Sequence, residues 1–140
     1  IVITKEIDAV LEEADFVTLH VPLIDSTRGL IGKSEFMKMK RSAYLINTSR
    51  GEVVKEEDLI EALTTNTIAG AALDVFAAEP LPDNHPFRKM ENVILTPHIA
   101  GVTEDSIQRL SIGSVNLAID ILNDRKPQGI ANPEVLEKKE

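Results

Sequence analysis

Residues 43–73 read AYLINTSRGEVVKEEDLIEALTTNTIAGAAL, and this stretch decides the fold class. It opens with a short apolar run at 43–47. Residues 56–65 then have an acidic first turn and an apolar side, which predicts an amphipathic helix. The apolar side comprises Leu59, Ile60 and Leu63. A second apolar run follows at 68–73, so strand, helix and strand predict a parallel pair joined by a right-handed crossover.

The same alternation continues on both sides of this stretch. The further predicted elements are a helix at Glu6–Ala14, a strand at Phe16–His20, a short helix from an N-cap at Ser34 to Lys40, a strand at Val93–Thr96 and a long helix from an N-cap at Thr103 to Asn123. Four apolar strands separated by helices predict an α/β fold: a doubly wound parallel sheet, ordered as in the chain and covered on both faces. Residues 1–124 form this domain, and the polar residues 125–140 are expected to be a tail.

Composition narrows the classes of function. The 140 residues are 43% hydrophobic and 27% charged, which is typical of a soluble globular domain. The net charge of −8 disfavours a nucleic-acid partner, because such binding depends on Lys and Arg. The absence of cysteine excludes disulfides and thiolate metal sites. No apolar run approaches the roughly 20 residues that cross a bilayer, and the first residues do not resemble a signal peptide, so we expect a cytoplasmic protein with no membrane partner.

Polar side chains follow each predicted strand. They are His20, the loop Thr48-Ser49-Arg50, Asp74 and His98. Because ligands bind at the carboxyl ends of strands in open parallel sheets, these residues are expected to lie at one site.

Several common chemistries are excluded by the sequence. Gly32-Lys33-Ser34 ends like a phosphate-binding P-loop, but position 27, where that motif needs glycine, is Thr27. No serine lies in a G-x-S-x-G motif, which argues against an α/β-hydrolase. The three histidines are far apart and none lies in an H-E-x-x-H helix, so no metal site is predicted.

The chemistry that remains uses a cation, an acid and a histidine. A guanidinium can hold the carboxylate of a 2-keto acid and polarise its keto oxygen. A histidine can donate the proton that accompanies hydride transfer and take it back in reverse. A carboxylate hydrogen-bonded to that histidine fixes the ring and favours its protonated form. These residue types therefore suit the reduction of a small 2-keto acid.

Four linked motifs carry a resemblance to a known family. They read ADFVTLHVP at 14–22, YLINTSRGEVV at 44–54, LDVFAAEP at 73–80 and TPHIAGVT at 96–103. In sequence and spacing they resemble the D-isomer-specific 2-hydroxyacid dehydrogenases, of the phosphoglycerate dehydrogenase and glyoxylate/hydroxypyruvate reductase type. The match covers nearly the whole chain except the last dozen residues. The resemblance implies that residues 1–124 are the C-terminal portion of a Rossmann-type NAD-binding domain.

The resemblance also implies a role for each matching residue. Arg50 would bind the substrate carboxylate and carbonyl, His98 would be the acid/base, and Glu79 would be its partner. Asp74 would hold the nicotinamide carboxamide, and His20 would pack at the adenosine side. The implied cofactor, NAD with NADP also open, would contact His20, Val21, Pro22, Thr27, Thr48, Ser49, Arg50, Asp74, His98, Ala100 and Gly101. The implied partners are a small 2-keto or 2-hydroxy acid and, in the full-length protein, a second copy as a homodimer.

Two departures from the family pattern carry expectations. Lys55 stands where family members have a capping Asp or Asn, so the helix after it should begin without a side-chain cap. The chain contains no G-x-G-x-x-G loop and no substrate domain. We therefore expect a fragment of a longer protein that is inactive alone, with an exposed sheet edge at Phe16–His20.

Two alternatives are open at this stage. A dinucleotide-sensing module that resembles the family's corepressor relatives could keep the same three residues without catalysis. A complete glycine loop and substrate domain encoded upstream would favour the enzyme. A formate-type dehydrogenase is disfavoured, because such a member is expected to have Gln in place of Glu79.

Overall fold

In a computed structural model, the structure describes residues 3–127, 129–132 and 134. Its regular elements, in chain order, are α1 (Ile7–Glu13), β1 (Phe16–Leu19), α2 (Lys33–Phe36), β2 (Tyr44–Asn47), α3 (Glu56–Thr64), β3 (Gly70–Leu73), β4 (Val93–Leu95) and α4 (Glu104–Leu122). Short 3₁₀ helices occupy Gly51–Val53 and Pro86–Lys89. The chain divides after Ala100 into two compact units.

The first unit is built on a four-stranded sheet in the order β1-β2-β3-β4, with every pair parallel. This confirms the predicted strand order. The ladder pairs Leu19 with Asn47, Asn47 with Leu73, and Leu73 with Leu95. The carboxyl ends of all four strands therefore lie side by side, and we call this end of the sheet its carboxyl edge. β1 is an outermost strand of the sheet.

One face of the sheet carries the hydrophobic core. The strands contribute Val17, Leu19, Leu45, Ala71 and Leu73, and the helices contribute Leu11, Phe36, Leu59, Ala62 and Leu63. Leu45 lies in the middle strand pair and is completely buried. Burying a leucine side chain contributes about 1.5–3 kcal/mol, so α1, α2 and α3 are held mainly by this shared apolar surface.

The opposite face of the sheet is not covered by α1, α2 or α3. Alternation along the strands places Phe16, Tyr44 and Ile94 on that side, and all three are exposed. The Phe16 and Tyr44 rings stack with their centroids 5.8 Å apart. Helices were expected to cover both faces of the sheet. Within the first unit α1, α2 and α3 all pack on the core face, so only that face is covered.

The start of α2 corrects one prediction. Ser34 lies inside the helix, and the N-cap residue is Gly32. The reason is that carboxylates supply the capping acceptors: Glu35 Oε2 accepts from the Gly32 N–H at 2.9 Å, and Asp58 Oδ2 accepts from the Lys33 N–H at 2.9 Å. The helix therefore begins earlier than expected, and it ends at Phe36 rather than at Lys40.

The other two caps agree with the sequence. Lys55 precedes α3 without a side-chain cap hydrogen bond, and the first turn holds three acidic residues that complement the helix dipole. Thr103 caps α4: its side chain accepts from the Ser106 N–H, and Ser106 Oγ accepts from the Thr103 N–H. None of the residues of α4 is buried. Over the described part of the chain, no helix has the length and apolar character that crossing a membrane requires.

Candidate active site

The loop after β2 places Arg50 at the carboxyl edge of the sheet. The Asn47 side chain is 1% exposed, and its Oδ1 accepts hydrogen bonds from the Ser49 N–H and from Ser49 Oγ. Its Nδ2 donates to the Arg50 carbonyl oxygen at 2.9 Å. The Arg50 side chain folds over this turn, with Nη1 donating to the Ser49 carbonyl oxygen at 2.6 Å. Side-chain hydrogen bonds of Asn47 and Arg50 thus close the turn at Ser49 and Arg50.

The next residue, Gly51, packs directly on the loop after β3. A Cβ atom added at Gly51 would lie 2.0 Å from the Phe76 carbonyl carbon and 2.4 Å from the Ala77 nitrogen. Only glycine allows two backbones to approach this closely. The loop that carries Arg50 and the loop that leads to Glu79 are therefore in direct contact.

Glu79 and His98 form a hydrogen-bonded pair. His98 Nδ1 lies 2.8 Å from Glu79 Oε2, and the other oxygen, Oε1, accepts from the Phe76 N–H at 3.0 Å. The hydrogen bond to His98, then that from Phe76, and the positive charge of Arg50 hold the pKa of Glu79 below its ordinary value of 4.5. An ionised carboxylate only accepts, so Nδ1 donates. His98 Nε2 makes no hydrogen bond to the described residues, which leaves it able to exchange a proton with a ligand.

Asp74 anchors the loop that carries His98. Its carboxylate is buried and accepts from the Ile99 and Ala100 N–H groups, each at 2.9 Å, and from the Thr96 hydroxyl. Burial alone would raise the pKa of Asp74, but these three donors outweigh it, so the pKa lies below its ordinary value. At the apex of the loop His98 has a φ of +56°, in the left-handed region.

Several residues that were predicted to contact the cofactor line an open groove. It has a volume of about 540 Å³ and runs past His20–Leu23 and Thr48–Arg50. His20 is exposed, and its Nε2 lies 2.9 Å from Thr18 Oγ1. The Thr27 hydroxyl donates to the Pro22 carbonyl oxygen at 2.6 Å, so Thr27 acts on the groove through Pro22. Five of the predicted cofactor contacts thus share one wall beside Arg50.

Two of the residues at the site, Asn47 and Arg88, were not predicted from the sequence as functional. Asn47 lies in the motif at 44–54, which places it three residues before Arg50 but indicates no role for it. Arg88 lines a pocket of about 300 Å³ beside His98 and Glu79, and no local pattern marks it. Outside the site, His85 caps the 3₁₀ helix Pro86–Lys89 by accepting from the Phe87 N–H and lies 3.1 Å from Glu56 Oε1, contacts that the sequence does not indicate. Within residues 3–127, 129–132 and 134 no group of acidic and histidine side chains is arranged to hold a metal ion.

Comparison with known proteins gives the same picture. The profile described as D-isomer specific 2-hydroxyacid dehydrogenase, NAD binding domain, matches residues 2–100. A glyoxylate reductase of Thermofilum pendens is 48% identical over 131 residues, which cover 94% of this chain and 39% of that protein. A glyoxylate/hydroxypyruvate reductase B of an Enterobacter species is 45% identical over 93% of this chain and 40% of its own length.

A solved structure supports the fold. The D-isomer specific 2-hydroxyacid dehydrogenase of Lactobacillus delbrueckii ssp. bulgaricus, in its NAD complexed form, superposes with a TM-score of 0.82 at 39% identity. The alignment covers 91% of this chain and 43% of that one. The chain thus spans about two fifths of the length of the relatives that it matches. On the profile match and the shared fold, the chain belongs to the D-isomer specific 2-hydroxyacid dehydrogenase family, in its NAD-binding domain.

Proposed function

We propose that this chain is part of an oxidoreductase that interconverts a small 2-keto acid and the corresponding D-2-hydroxy acid with a nicotinamide cofactor. The observation that carries the proposal is the 2.8 Å hydrogen bond between His98 and Glu79, with the Arg50 loop in contact with the loop that leads to Glu79. The relatives named as glyoxylate and hydroxypyruvate reductases support this class of substrate.

Arg50 would bind the substrate. Its guanidinium is planar, always charged and exposed at the edge of the sheet, so it can hold a carboxylate through two parallel hydrogen bonds. The same cation would draw electron density towards the keto oxygen as negative charge develops there.

His98 would move the proton. Because Nδ1 donates to Glu79, the ring is oriented by the carboxylate and Nε2 is the atom that gives a proton to the keto oxygen in reduction. In the reverse direction Nε2 takes the proton from the hydroxyl. Glu79 is ionised at neutral pH, since its pKa is lowered, and its charge stabilises the imidazolium form.

The groove past His20–Leu23 and Thr48–Arg50 has the size and polarity to hold part of a dinucleotide. NAD or NADP bound there would supply or accept the hydride. We propose that Thr48, Ser49, Ala100 and Gly101 pass close to the nicotinamide and that His20, Val21 and Pro22 face the adenosine side. Asp74 would reach the carboxamide through Oδ2, because Oδ1 already accepts two hydrogen bonds and Oδ2 accepts only one.

Domain organisation and assembly are also proposals. We assign 1–124 to the C-terminal portion of the NAD-binding domain and 125–140 to a tail, and we expect a cytoplasmic homodimer. The isolated chain of 140 residues should be inactive, because these residues include no G-x-G-x-x-G turn leading to a helix N-terminus that would bind the pyrophosphate. Normal turnover by this isolated chain would contradict that expectation.

The test is made on the gene product that carries these residues. NADH and NADPH oxidation is followed with glyoxylate, hydroxypyruvate and pyruvate, and the reverse reaction with D- and L-lactate. Reduction of at least one keto acid, with oxidation of the D isomer only, is the expected result. Binding of NADH without turnover of any of these substrates would instead favour the dinucleotide-sensing module.

Variants assign the roles. Arg50→Lys keeps the charge but loses the two-pronged contact, and kcat/KM should fall about 10- to 100-fold. His98→Gln should lower kcat by about 10²- to 10⁴-fold, the range for losing a general acid. Arg109→Lys is the matched control, because Arg109 is an exposed arginine of α4 that pairs with Asp105. Equal activity of Arg50→Lys and Arg109→Lys would remove Arg50 from the proposal.

A further inference from the structure

The most deeply buried polar side chain of the sheet edge, Asn47, has no assigned role. It is 1% exposed, and both ends of its amide are engaged within the Arg50 turn. Oδ1 accepts two hydrogen bonds from Ser49, and Nδ2 donates one to the Arg50 carbonyl oxygen. An amide whose donors and acceptor all face one short turn fixes the conformation of that turn.

The position of Arg50 is restrained from two directions. On one side, the Asn47 amide holds its carbonyl oxygen. On the other side, Gly51 has no room to move towards Phe76. The guanidinium is then directed by its own 2.6 Å hydrogen bond to the Ser49 carbonyl oxygen. Asn47 fixes the backbone on both sides of that carbonyl, because it bonds to the Ser49 N–H before it and to the Arg50 carbonyl oxygen after it.

We propose that Asn47 is a positioning residue that sets where the Arg50 guanidinium meets the substrate carboxylate; this rests on the function proposed above. Asn47 touches neither the substrate nor the cofactor in this role. Its Nδ2 end reaches Arg50, whereas its Oδ1 end holds the cofactor-side residue Ser49. A variant that changes only the Nδ2 end should therefore weaken keto-acid binding while leaving binding of the cofactor nearly unchanged.

Asn47→Asp tests this with almost no change in volume. The donor Nδ2 becomes an oxygen that faces the Arg50 carbonyl oxygen, so an attraction becomes a repulsion. The KM for the keto acid should rise about tenfold or more, the effect of losing a buried hydrogen bond and leaving its acceptor unpaired. The KM for NADH should change less than about threefold, and kcat should fall less than KM rises, because ground-state binding is what is lost.

Asn92→Asp is the matched control. Asn92 is a half-buried asparagine whose Nδ2, like that of Asn47, donates to backbone carbonyl oxygens, here those of Leu63 and Ala69 at the opposite end of the sheet. It should lower the free energy of unfolding in the same way while leaving the kinetic constants unchanged. If Asn47→Asp and Asn92→Asp shift the keto-acid KM equally, the positioning role is refuted.

A second measurement does not need enzymatic activity. The rate at which phenylglyoxal modifies Arg50, read by peptide mass spectrometry, should rise about threefold or more in Asn47→Asp, because the guanidinium is released from Ser49. If the wild type reduces no keto acid, the proposed function fails, and this rate alone decides the inference. An unchanged rate in a folded variant overturns it. If Asn47→Asp does not fold, Ser49→Ala removes one hydrogen bond to Asn47 and should raise the same rate to a smaller extent.

Discussion

Gly51→Ala should separate the two loops on which Arg50 and Glu79 depend. The added Cβ would lie 2.0 Å from the Phe76 carbonyl carbon and 2.3 Å from its oxygen, whereas ordinary contact begins at 3.4 Å. The obstructing atoms are backbone, so no side chain can swing away, and the loops must part by about 1 Å or more. Overpacking of this kind costs about 1–3 kcal/mol of stability. A displacement of about 1 Å between groups that share a substrate costs on the order of 100-fold in rate.

Gly70→Ala provides the control for lost stability. A Cβ there would meet the Asn92 carbonyl oxygen at 2.5 Å, again a backbone atom, but at the amino end of β3, away from the site. Both variants are compared by urea unfolding and by kcat/KM for the keto acid. We expect similar losses of stability, and a loss of about 100-fold in kcat/KM for Gly51→Ala alone. The reasoning is refuted if Gly51→Ala, in its folded state, keeps the kcat/KM of Gly70→Ala.

Three further expectations concern stability. Leu45→Ala, at the most enclosed position of the sheet, should lower the free energy of unfolding by about 2–5 kcal/mol in urea titrations; a loss below about 1 kcal/mol would contradict the described core. Gly113→Ala, in the interior of α4 with no atom within 4 Å of the added Cβ, should stabilise the helix by about 0.5–1 kcal/mol, measured by hydrogen exchange along α4. Asp74 has a lowered pKa, so its contribution to stability is present above its ordinary value of 3.8 and is lost as the pH falls through the lowered value. Asp74→Asn should therefore be less stable at neutral pH but should lose stability less steeply on acidification, by up to about 1.4 kcal/mol per pH unit; parallel acid profiles for the two proteins would rule this out.

The sequence predicted the sheet well because its signals are local. The apolar runs, the amphipathic helix at 56–65 and the cap at Thr103 are each readable within a few residues. The start of α2 was predicted wrongly because the acceptor for Lys33 comes from Asp58, 25 residues later in the chain. Local patterns cannot indicate which distant carboxylate will satisfy a helix end.

The candidate site likewise combines features that local motifs predict with features that depend on distant residues. Arg50, Glu79 and His98 could be predicted as site residues because each lies in a recognisable motif, and in the structure the last two share a hydrogen bond. The closeness of Gly51 to Phe76 could not be predicted, since it depends on how two loops pack. The engagement of His85 with Glu56, 29 residues away, was missed for the same reason.

The left-handed backbone of His98 has a consequence for how the protein can evolve. A non-glycine residue in that region costs on the order of 1–3 kcal/mol, which the surrounding structure must offset. Glycine at position 98 would relieve this cost, so backbone strain taken by itself favours a residue that lacks the imidazole to which we assign proton transfer. A lineage released from selection for activity is therefore expected to lose this histidine early, drifting towards glycine or asparagine while the sheet beneath it stays intact.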